Sequence, residues 1–140
     1  MSGTDQELFN LAMSEESRPL MYAVQKHITE NVAPITEEFF ALNDEKEDRW
    51  TWHPRQTELL EGAKAKAKES GLWNFFLPDA ETGQGLNNLD YAYIAAELGK
   101  YSLASETLNC SAPDTGNMEV LERVGTPEQK DKWLTPLLNG

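Results

Sequence analysis

The sequence contains little cysteine and little histidine, and both shortages narrow the kinds of site that it can form. Its 140 residues include one cysteine, Cys110, and two histidines, His27 and His53. A single cysteine forms no disulfide within the chain. Two imidazoles without cysteine neighbours supply neither a zinc ligand set nor an evident catalytic triad. The sequence therefore predicts no metal site and no catalytic residue.

Basic charge and long apolar runs are also scarce. The 24 acidic residues outnumber the 12 lysines and arginines, which gives a formal charge of −12. Because such an excess of carboxylates repels phosphate backbones and anionic bilayers, we expect neither nucleic acid nor a membrane as partner. The longest apolar stretch, residues 72–77, is too short to span a bilayer. Residues 1–7 lack the basic and apolar regions of a signal peptide, so we expect a cytoplasmic protein.

Helical periodicity dominates the chain. Apolar side chains recur every four residues through Leu20, Val24 and Ile28. Pro34 is expected to kink this helix or to divide it in two. No alternating run is long enough to form a strand. The sequence therefore predicts an all-α fold, an up-and-down-like bundle of five or six helices.

Capping residues predict where the helices begin and end. Four residues are expected at N-caps: Ser17, Asn88, Asp114 and Thr126. Thr126 also has the spacing of a capping box, and Gly71 is expected to end the second helix in a left-handed conformation. The third helix is predicted to bury one small, apolar face, formed by Leu89, Tyr93, Ala96 and Leu98.

A shift in composition divides the chain into two parts. Residues 1–16 are polar and acidic with few apolar anchors, and they are predicted to form a flexible N-terminal arm. Residues 17–140 are predicted to form one helical domain. A chain of about this length buries roughly 68–70% of its unfolded surface, so it needs no disulfide or metal to stabilise its core.

Small and polar side chains concentrate at residues 109–118, between two helices that should be buried. In one interpretation, Asp114 accepts hydrogen bonds from the free N–H groups at the start of the next helix. In another, small side chains form the wall of a ligand groove and Asp114 lies beside the ligand. The pattern taken alone favours the capping interpretation.

Several motifs follow one another in a specific order and spacing. They are GLWNFFLP at 71–78, GLNNLDY at 85–91, AELG at 96–99, GTPEQK at 125–130, WL at 133–134 and PLLNG at 136–140. Together they resemble the N-terminal helical domain of flavin-dependent acyl-CoA dehydrogenases, from about Ser17 to the end of the sequence. Residues 109–121 are most similar to the branch of family members ten and eleven, which handle long or hydroxylated acyl chains.

This resemblance implies a reaction. In the family, a glutamate base removes the α-proton of an acyl-CoA thioester while the β-hydride passes to N5 of FAD. Electrons then pass to an electron-transfer flavoprotein, and the whole enzyme is expected to be a homo-oligomer, a dimer or a tetramer. The flavin-binding strands and the glutamate lie in later domains that these 140 residues do not include. The chain alone is therefore expected to be inactive and to bind no cofactor.

The resemblance also implies a set of substrate-binding residues. Through the alignment of residues 116–118 with the family, six residues are expected to line the tunnel for the acyl chain: Thr107, Leu108, Cys110, Ser111, Asp114 and Thr115. With this implication, the groove-wall interpretation of the cluster is favoured over capping alone.

Two alternatives to an enzyme domain remain open. The chain could be a free-standing, non-catalytic helical interaction module that uses an exposed apolar surface, which light scattering over a concentration series would detect as self-association. It could also be a stand-alone acyl carrier, which would give a saturable heat when acyl-CoA is titrated into it.

Overall fold

The computed structural model describes residues 11–79 and 81–140. This part of the chain forms six helical segments and contains no β-strand. The predicted all-α fold and the predicted number of helices are confirmed. Within the same residues, no helix combines the length and the apolarity that crossing a bilayer requires.

Helix α1 is long and interrupted once. It comprises Arg18–His27, a π-helical turn at Ile28–Val32 and Ala33–Ala41, and it ends in the 3₁₀ turn Leu42–Glu45. Pro34 is the second residue after the π-helical turn. Because proline lacks an N–H group and its ring crowds the carbonyl four residues earlier, a widened turn relieves the conflict. The interruption expected from Pro34 therefore takes the form of a π-helical turn.

Helix α2, Pro54–Glu69, begins at a capping box built on a histidine. The Nδ1 atom of His53 accepts a hydrogen bond from the backbone N–H of Arg55 at 3.1 Å, and Gln56 Oε1 accepts one from the backbone N–H of His53 at 3.1 Å. The helix ends just before Gly71, whose φ of +70° is left-handed. The predicted role of Gly71 as a helix terminator is confirmed.

A glycine in the middle of α2 provides a stability test. An added Cβ at Gly62 would meet no atom within 4 Å. Because alanine restricts the unfolded chain more than glycine does, Gly62→Ala should raise the free energy of unfolding by about 0.5–1 kcal/mol. Urea denaturation followed by circular dichroism measures this change. In the control variant Gly83→Ala, the new methyl group would collide with the Leu77 carbonyl, so stability should fall. A loss in Gly62→Ala would contradict the helix assignment.

Helix α3, Asn88–Leu98, begins one residue earlier than predicted. Its N-cap is Asn87, whose Oδ1 atom accepts a hydrogen bond from the backbone N–H of Asp90 at 2.8 Å. Asn88 is the first helical residue, so the predicted cap at Asn88 is wrong by one position. Either asparagine fits the capping preference, and the polar contacts of Asp90 decide between them.

The buried face of α3 also differs from the predicted one. Asp90, Ile94 and Leu98 point into the lobe, whereas Tyr93 and Ala96 are exposed and Leu89 is partly exposed. Of the predicted face, Leu98 alone is buried. The reason is that Asp90 is drawn inward by hydrogen-bond donors from the segment before α1, which rotates the small apolar face outward.

Three shorter helices complete the lobe. They are α4, Ala104–Thr107; α5, Asp114–Val124; and α6, which comprises Pro127–Gln129, a π-helical turn at Lys130–Leu134 and Thr135–Asn139. The capping box predicted at Thr126 is confirmed, since the Thr126 side chain accepts from the Gln129 N–H and Gln129 Oε1 accepts from the Thr126 N–H.

Two predicted caps do not act as caps. Ser17 occupies the N-cap position of α1, but its hydroxyl donates to Asp90 Oδ2 instead of accepting from the helix. Pro113 occupies the N-cap position of α5, and no side chain caps that helix. Asp114 is its first helical residue, so the interpretation of Asp114 as the cap is wrong. Its negative charge in the first turn still stabilises the helix by interacting with the positive end of the helix dipole.

The core lies where the helices meet the irregular crossing at residues 72–78. Helix α1 contacts α2, α3 and α4, and α5 packs against α6. The crossing contributes two of the most deeply buried side chains, Phe75 and Leu77, as its aromatic composition predicts. Residues 1–10 of the predicted arm lie outside the described residues. The division of the chain at residue 16 stays a prediction.

Candidate functional site

The six predicted tunnel residues lie along one stretch, from the last residue of α4 to the first turn of α5. Ser111, Asp114 and Thr115 are partly exposed on its outer side. Thr107 and Leu108 are fully buried, and Cys110 is 7% exposed. The structure thus brings three of the six to the surface and turns the other three into the core of the lobe. Their contact with substrate stays a prediction.

Thr107 is held by a buried histidine. Its hydroxyl donates to the carbonyl oxygen of Ala104 at 2.8 Å, so its oxygen accepts from His27 Nε2 at 3.1 Å. This arrangement leaves His27 Nδ1 unprotonated, 3.4 Å from the Asn31 side-chain amide. Burial lowers the pKa of His27. His27 is therefore a neutral structural partner of Thr107.

Cys110 is a thiol, not a thiolate. Its Sγ atom lies 3.4 Å from the Leu108 carbonyl oxygen, and burial raises the pKa of Cys110 to about 12. Burial likewise raises the pKa of the nearby Tyr91 to about 12. Because the thiolate is the nucleophilic form of cysteine, Cys110 acts as a small apolar side chain at neutral pH.

Two asparagines join this stretch to the rest of the lobe. Both are left-handed, with φ of +55° at Asn74 and +56° at Asn109. Asn109 Nδ2 donates to Asn74 Oδ1 at 2.6 Å and to the Leu137 carbonyl at 2.8 Å, and Asn74 Nδ2 donates to the Leu138 carbonyl at 2.9 Å. We call this group the asparagine clamp. It supplies donors to two carbonyl groups in the last turn of α6, and the Leu137 carbonyl also accepts from the Gly140 backbone N–H at 3.1 Å.

Two further side chains bind the same end of α6. Trp73 Nε1 donates to the Leu138 carbonyl at 2.8 Å, and Lys68 Nζ donates to the Asn139 carbonyl at 2.6 Å. Lys68 Nζ also lies 4.2 Å from the ring centre of Trp73, within the range of a cation–π contact. Sequence reasoning missed these contacts, because their donors lie more than 60 positions from the carbonyl groups that they bind.

A second polar cluster surrounds Asp90, which is 3% exposed. Its Oδ1 atom accepts from the Ser14 backbone N–H at 2.7 Å, and its Oδ2 atom accepts from the side chains of Ser14, Ser17 and Asn87 at 2.7, 2.9 and 2.9 Å. These donors, the Ser14 N–H foremost, lower the pKa of Asp90. The carboxylate thus stays charged and links the segment before α1 to α3.

Two apolar grooves open on the surface of the lobe. The larger has a volume of about 470 Å³, lies between α5 and α6, and is lined by Asn117, Val120, Leu121, Trp133 and Leu137. The other, about 300 Å³, follows the outward face of α3 and is lined by Leu11, Leu89, Ala92, Tyr93 and Ala96. The indole of Trp133 is 53% exposed. Val120 in the first groove and Leu11 in the second are 61% and 72% exposed, so both grooves present apolar side chains to solvent.

This helical lobe matches the family model for the acyl-CoA dehydrogenase N-terminal domain over residues 14–140. The chain belongs to that family. It is 44% identical over 133 residues to acyl-CoA dehydrogenase family member 10 of Mus musculus, and 44% identical over 140 residues to family member 11 of Gallus gallus. The resemblance inferred from the motifs is confirmed.

A solved structure agrees with this acyl-CoA dehydrogenase N-terminal domain assignment. A chain from Mycobacterium abscessus, assigned to the acyl-CoA dehydrogenases, superposes with a TM-score of 0.78 at 42% identity and covers 91% of this chain. The present chain spans 32% of that structure, and it spans 12% and 17% of the mouse and chicken relatives. The similarity therefore concerns one part of much longer proteins.

Membership of the acyl-CoA dehydrogenase family implies FAD as the cofactor. The described residues do not by themselves form a binding site that fits FAD. The pyrophosphate of FAD requires cationic side chains or free backbone amides around one groove. Among five grooves formed by residues 11–79 and 81–140, none contains an arginine or more than one lysine. We derive no flavin-contacting residue from them. The same residues contain no group of three or more histidine, cysteine or carboxylate side chains arranged for a metal ion.

Proposed function

We propose that this chain is the N-terminal helical domain of an FAD-dependent enzyme that catalyses α,β-dehydrogenation of acyl-CoA thioesters in fatty-acid oxidation. The observation that carries the proposal is the family match over residues 14–140. The whole enzyme would use FAD, transfer electrons to an electron-transfer flavoprotein, and act in the cytoplasm as a dimer or tetramer. The 140 residues alone would be inactive.

The proposed contribution of this domain is one wall of the acyl-chain tunnel. Ser111, Asp114 and Thr115 would face the fatty tail, since each is partly exposed and the Thr115 backbone N–H donates to the Ser111 carbonyl at 3.2 Å. Thr107, Leu108 and Cys110 would support that wall from behind, where they are buried. A wall of this kind excludes water from the acyl chain of the substrate and positions that acyl chain. The wall itself transfers no proton. The base that removes the α-proton would come from a later domain.

Asp114 offers a direct test of this wall. If its carboxylate accepts a hydrogen bond from a hydroxyl group on the acyl chain, Asp114→Ala in the whole enzyme should lower kcat/KM for hydroxyacyl-CoA about tenfold or more. The value for the plain acyl-CoA of equal length should stay within about twofold. Steady-state turnover of both thioesters measures the difference.

A matched control separates this effect from a general loss of stability. Asp131 lies exposed on α6 and makes no ion pair with the described residues, so Asp131→Ala should change neither substrate constant. Equal losses on the two thioesters in Asp114→Ala would contradict substrate contact and leave Asp114 as a helix N-terminal charge.

A free-standing interaction module is the second candidate, and the two exposed apolar grooves favour it. Such a module would function by binding, and no longer protein that contains it would need to be an enzyme. Dehydrogenation of acyl-CoA by the whole protein would decide for the enzyme domain. Absence of turnover, together with self-association of the chain in light scattering, would decide for the module.

A further inference from the structure

The turn between α4 and α5 depends on one side chain that the proposed tunnel wall does not include. We infer that Asn109 is a positioning residue for this wall: through the asparagine clamp it sets where Ser111, Asp114 and Thr115 lie. The inference rests on the proposed function. It assigns Asn109 no contact with the substrate.

The backbone at Asn109 reverses the direction of the chain as α4 ends. Its N–H donates to the Glu106 carbonyl at 3.2 Å, and the N–H of Cys110 donates to the Ser105 carbonyl at 2.8 Å. Between these two bonds the chain passes through the left-handed conformation of Asn109. Asparagine tolerates this conformation far better than branched or bulky residues do. The reversal separates Leu108, which is buried, from Ser111, which is partly exposed.

The Asn109 side chain fixes that reversal against two other parts of the lobe. One amide hydrogen goes to Asn74 in the crossing at 72–78, and the other goes to the Leu137 carbonyl in α6. Asn74 is 6% exposed, and it is itself bound to the Leu138 carbonyl and, through its backbone N–H, to the Leu108 carbonyl. The turn is therefore bonded both to the crossing at 72–78 and to α6. While the hydrogen bonds of the asparagine clamp are formed, the turn cannot move relative to either element.

Loss of the hydrogen bonds of the asparagine clamp should therefore displace Ser111, Asp114 and Thr115 without unfolding the lobe. The core side chains on either side, Leu108 and Met118, are fully buried, and this apolar packing should hold the lobe together when the amide bonds are lost. A long acyl chain that reaches the wall would then bind less tightly, whereas a short one that ends before the wall would bind as before. Chain-length preference, not maximal turnover, is the property that this residue should control.

The variant Asn109→Gly tests the inference in the whole enzyme, since glycine keeps the left-handed backbone and removes the amide bonds. We expect KM for palmitoyl-CoA to rise about tenfold, because loss of the two amide bonds should leave the wall in its binding position in only about a tenth of the molecules. We expect kcat, and both constants for the shortest thioester that the wild type accepts, to stay within about twofold. Backbone amides of residues 110–112, 114 and 115 should exchange with deuterium faster, while α1 and α2 keep their protection.

Two further variants control for structural damage. Asn74→Gly opens the clamp from its other side and should reproduce the same pattern. Asn88→Gly removes an exposed asparagine whose side chain makes no hydrogen bond with the described residues, and it should leave the constants of both thioesters unchanged. Equal losses on long and short thioesters, or unchanged exchange at residues 110–112, 114 and 115, would overturn the inference alone. A wild-type enzyme that oxidises no acyl-CoA would overturn the proposed function and the inference together.

Discussion

Replacing Phe75 with alanine should lower the free energy of unfolding by about 3–5 kcal/mol, because the substitution removes a fully buried ring and leaves a cavity. Phe75 is 0% exposed, and its ring lies 6.3 Å from that of Tyr91, so it joins the crossing at 72–78 to α3. Domains of this size have a total stability of roughly 5–15 kcal/mol. At the lower end of this range, the substitution would remove most of the stability of the domain.

Urea denaturation followed by circular dichroism measures the loss. The matched control is Trp50→Ala, which removes a larger aromatic side chain that is 79% exposed. Its free energy of unfolding should change by no more than about 0.5 kcal/mol. Similar small losses in both variants would mean that the crossing is not part of the core.

Replacing Asp90 with alanine should cost about 2–4 kcal/mol, because four donors lose their charged acceptor in a site from which water is largely excluded. The Ser14 backbone N–H and the side chains of Ser14, Ser17 and Asn87 would all lose that acceptor. Hydrogen exchange should show the largest loss of protection at Ser14. The exposed carboxylate of Glu37 is the control, and Glu37→Ala should change stability by no more than about 0.5 kcal/mol.

The cost of losing Asp90 should depend on pH in a defined direction. The folded pKa of Asp90 lies below the ordinary aspartate value of 3.8, so its charge stabilises the native state above that value. As pH falls below 3.8 and through the folded pKa, this contribution disappears. The stability difference between wild type and Asp90→Asn should therefore be greatest near neutral pH and shrink in acid. A difference that grows in acid would contradict the assignment of a charged carboxylate.

The helix boundaries that were predicted correctly have local signals. The left-handed Gly71 and the capping box at Thr126 depend on residues within four positions of one another, so the sequence shows them directly. The interruption near Pro34 has the same local origin, because a proline and the carbonyl it crowds are four residues apart. Periodicity likewise excluded strands without any knowledge of packing.

Contacts between distant segments explain what the sequence did not predict. Asp90 finds its partners 73 and 76 positions away, and this turns α3 so that Tyr93 and Ala96 face outward. The buried face of α3 was predicted from apolar side chains alone. The actual buried face includes the carboxylate of Asp90, which that criterion excludes. The partner of His27 is Thr107, 80 positions along the chain, so neither pattern nor spacing could reveal that pair.

The candidate site was predictable as a region but not as a set of exposed side chains. The cluster at 109–118 was visible from its small and polar residues, and family resemblance placed four residues within it and two just before it. Which of them are exposed depends on the left-handed turn at Asn109 and its bonds to Asn74 and α6. The one sequence signal for that turn is asparagine itself, which tolerates positive φ.

The most direct test of the enzyme assignment is an anaerobic titration of the whole purified protein with saturated acyl-CoA thioesters from short to long chain length. The account predicts that bound flavin loses its visible absorbance in proportion to the thioester added, and that the matching α,β-enoyl-CoA appears. A protein that purifies with flavin yet keeps its full absorbance across the entire series, or one that holds no flavin at all, would contradict it.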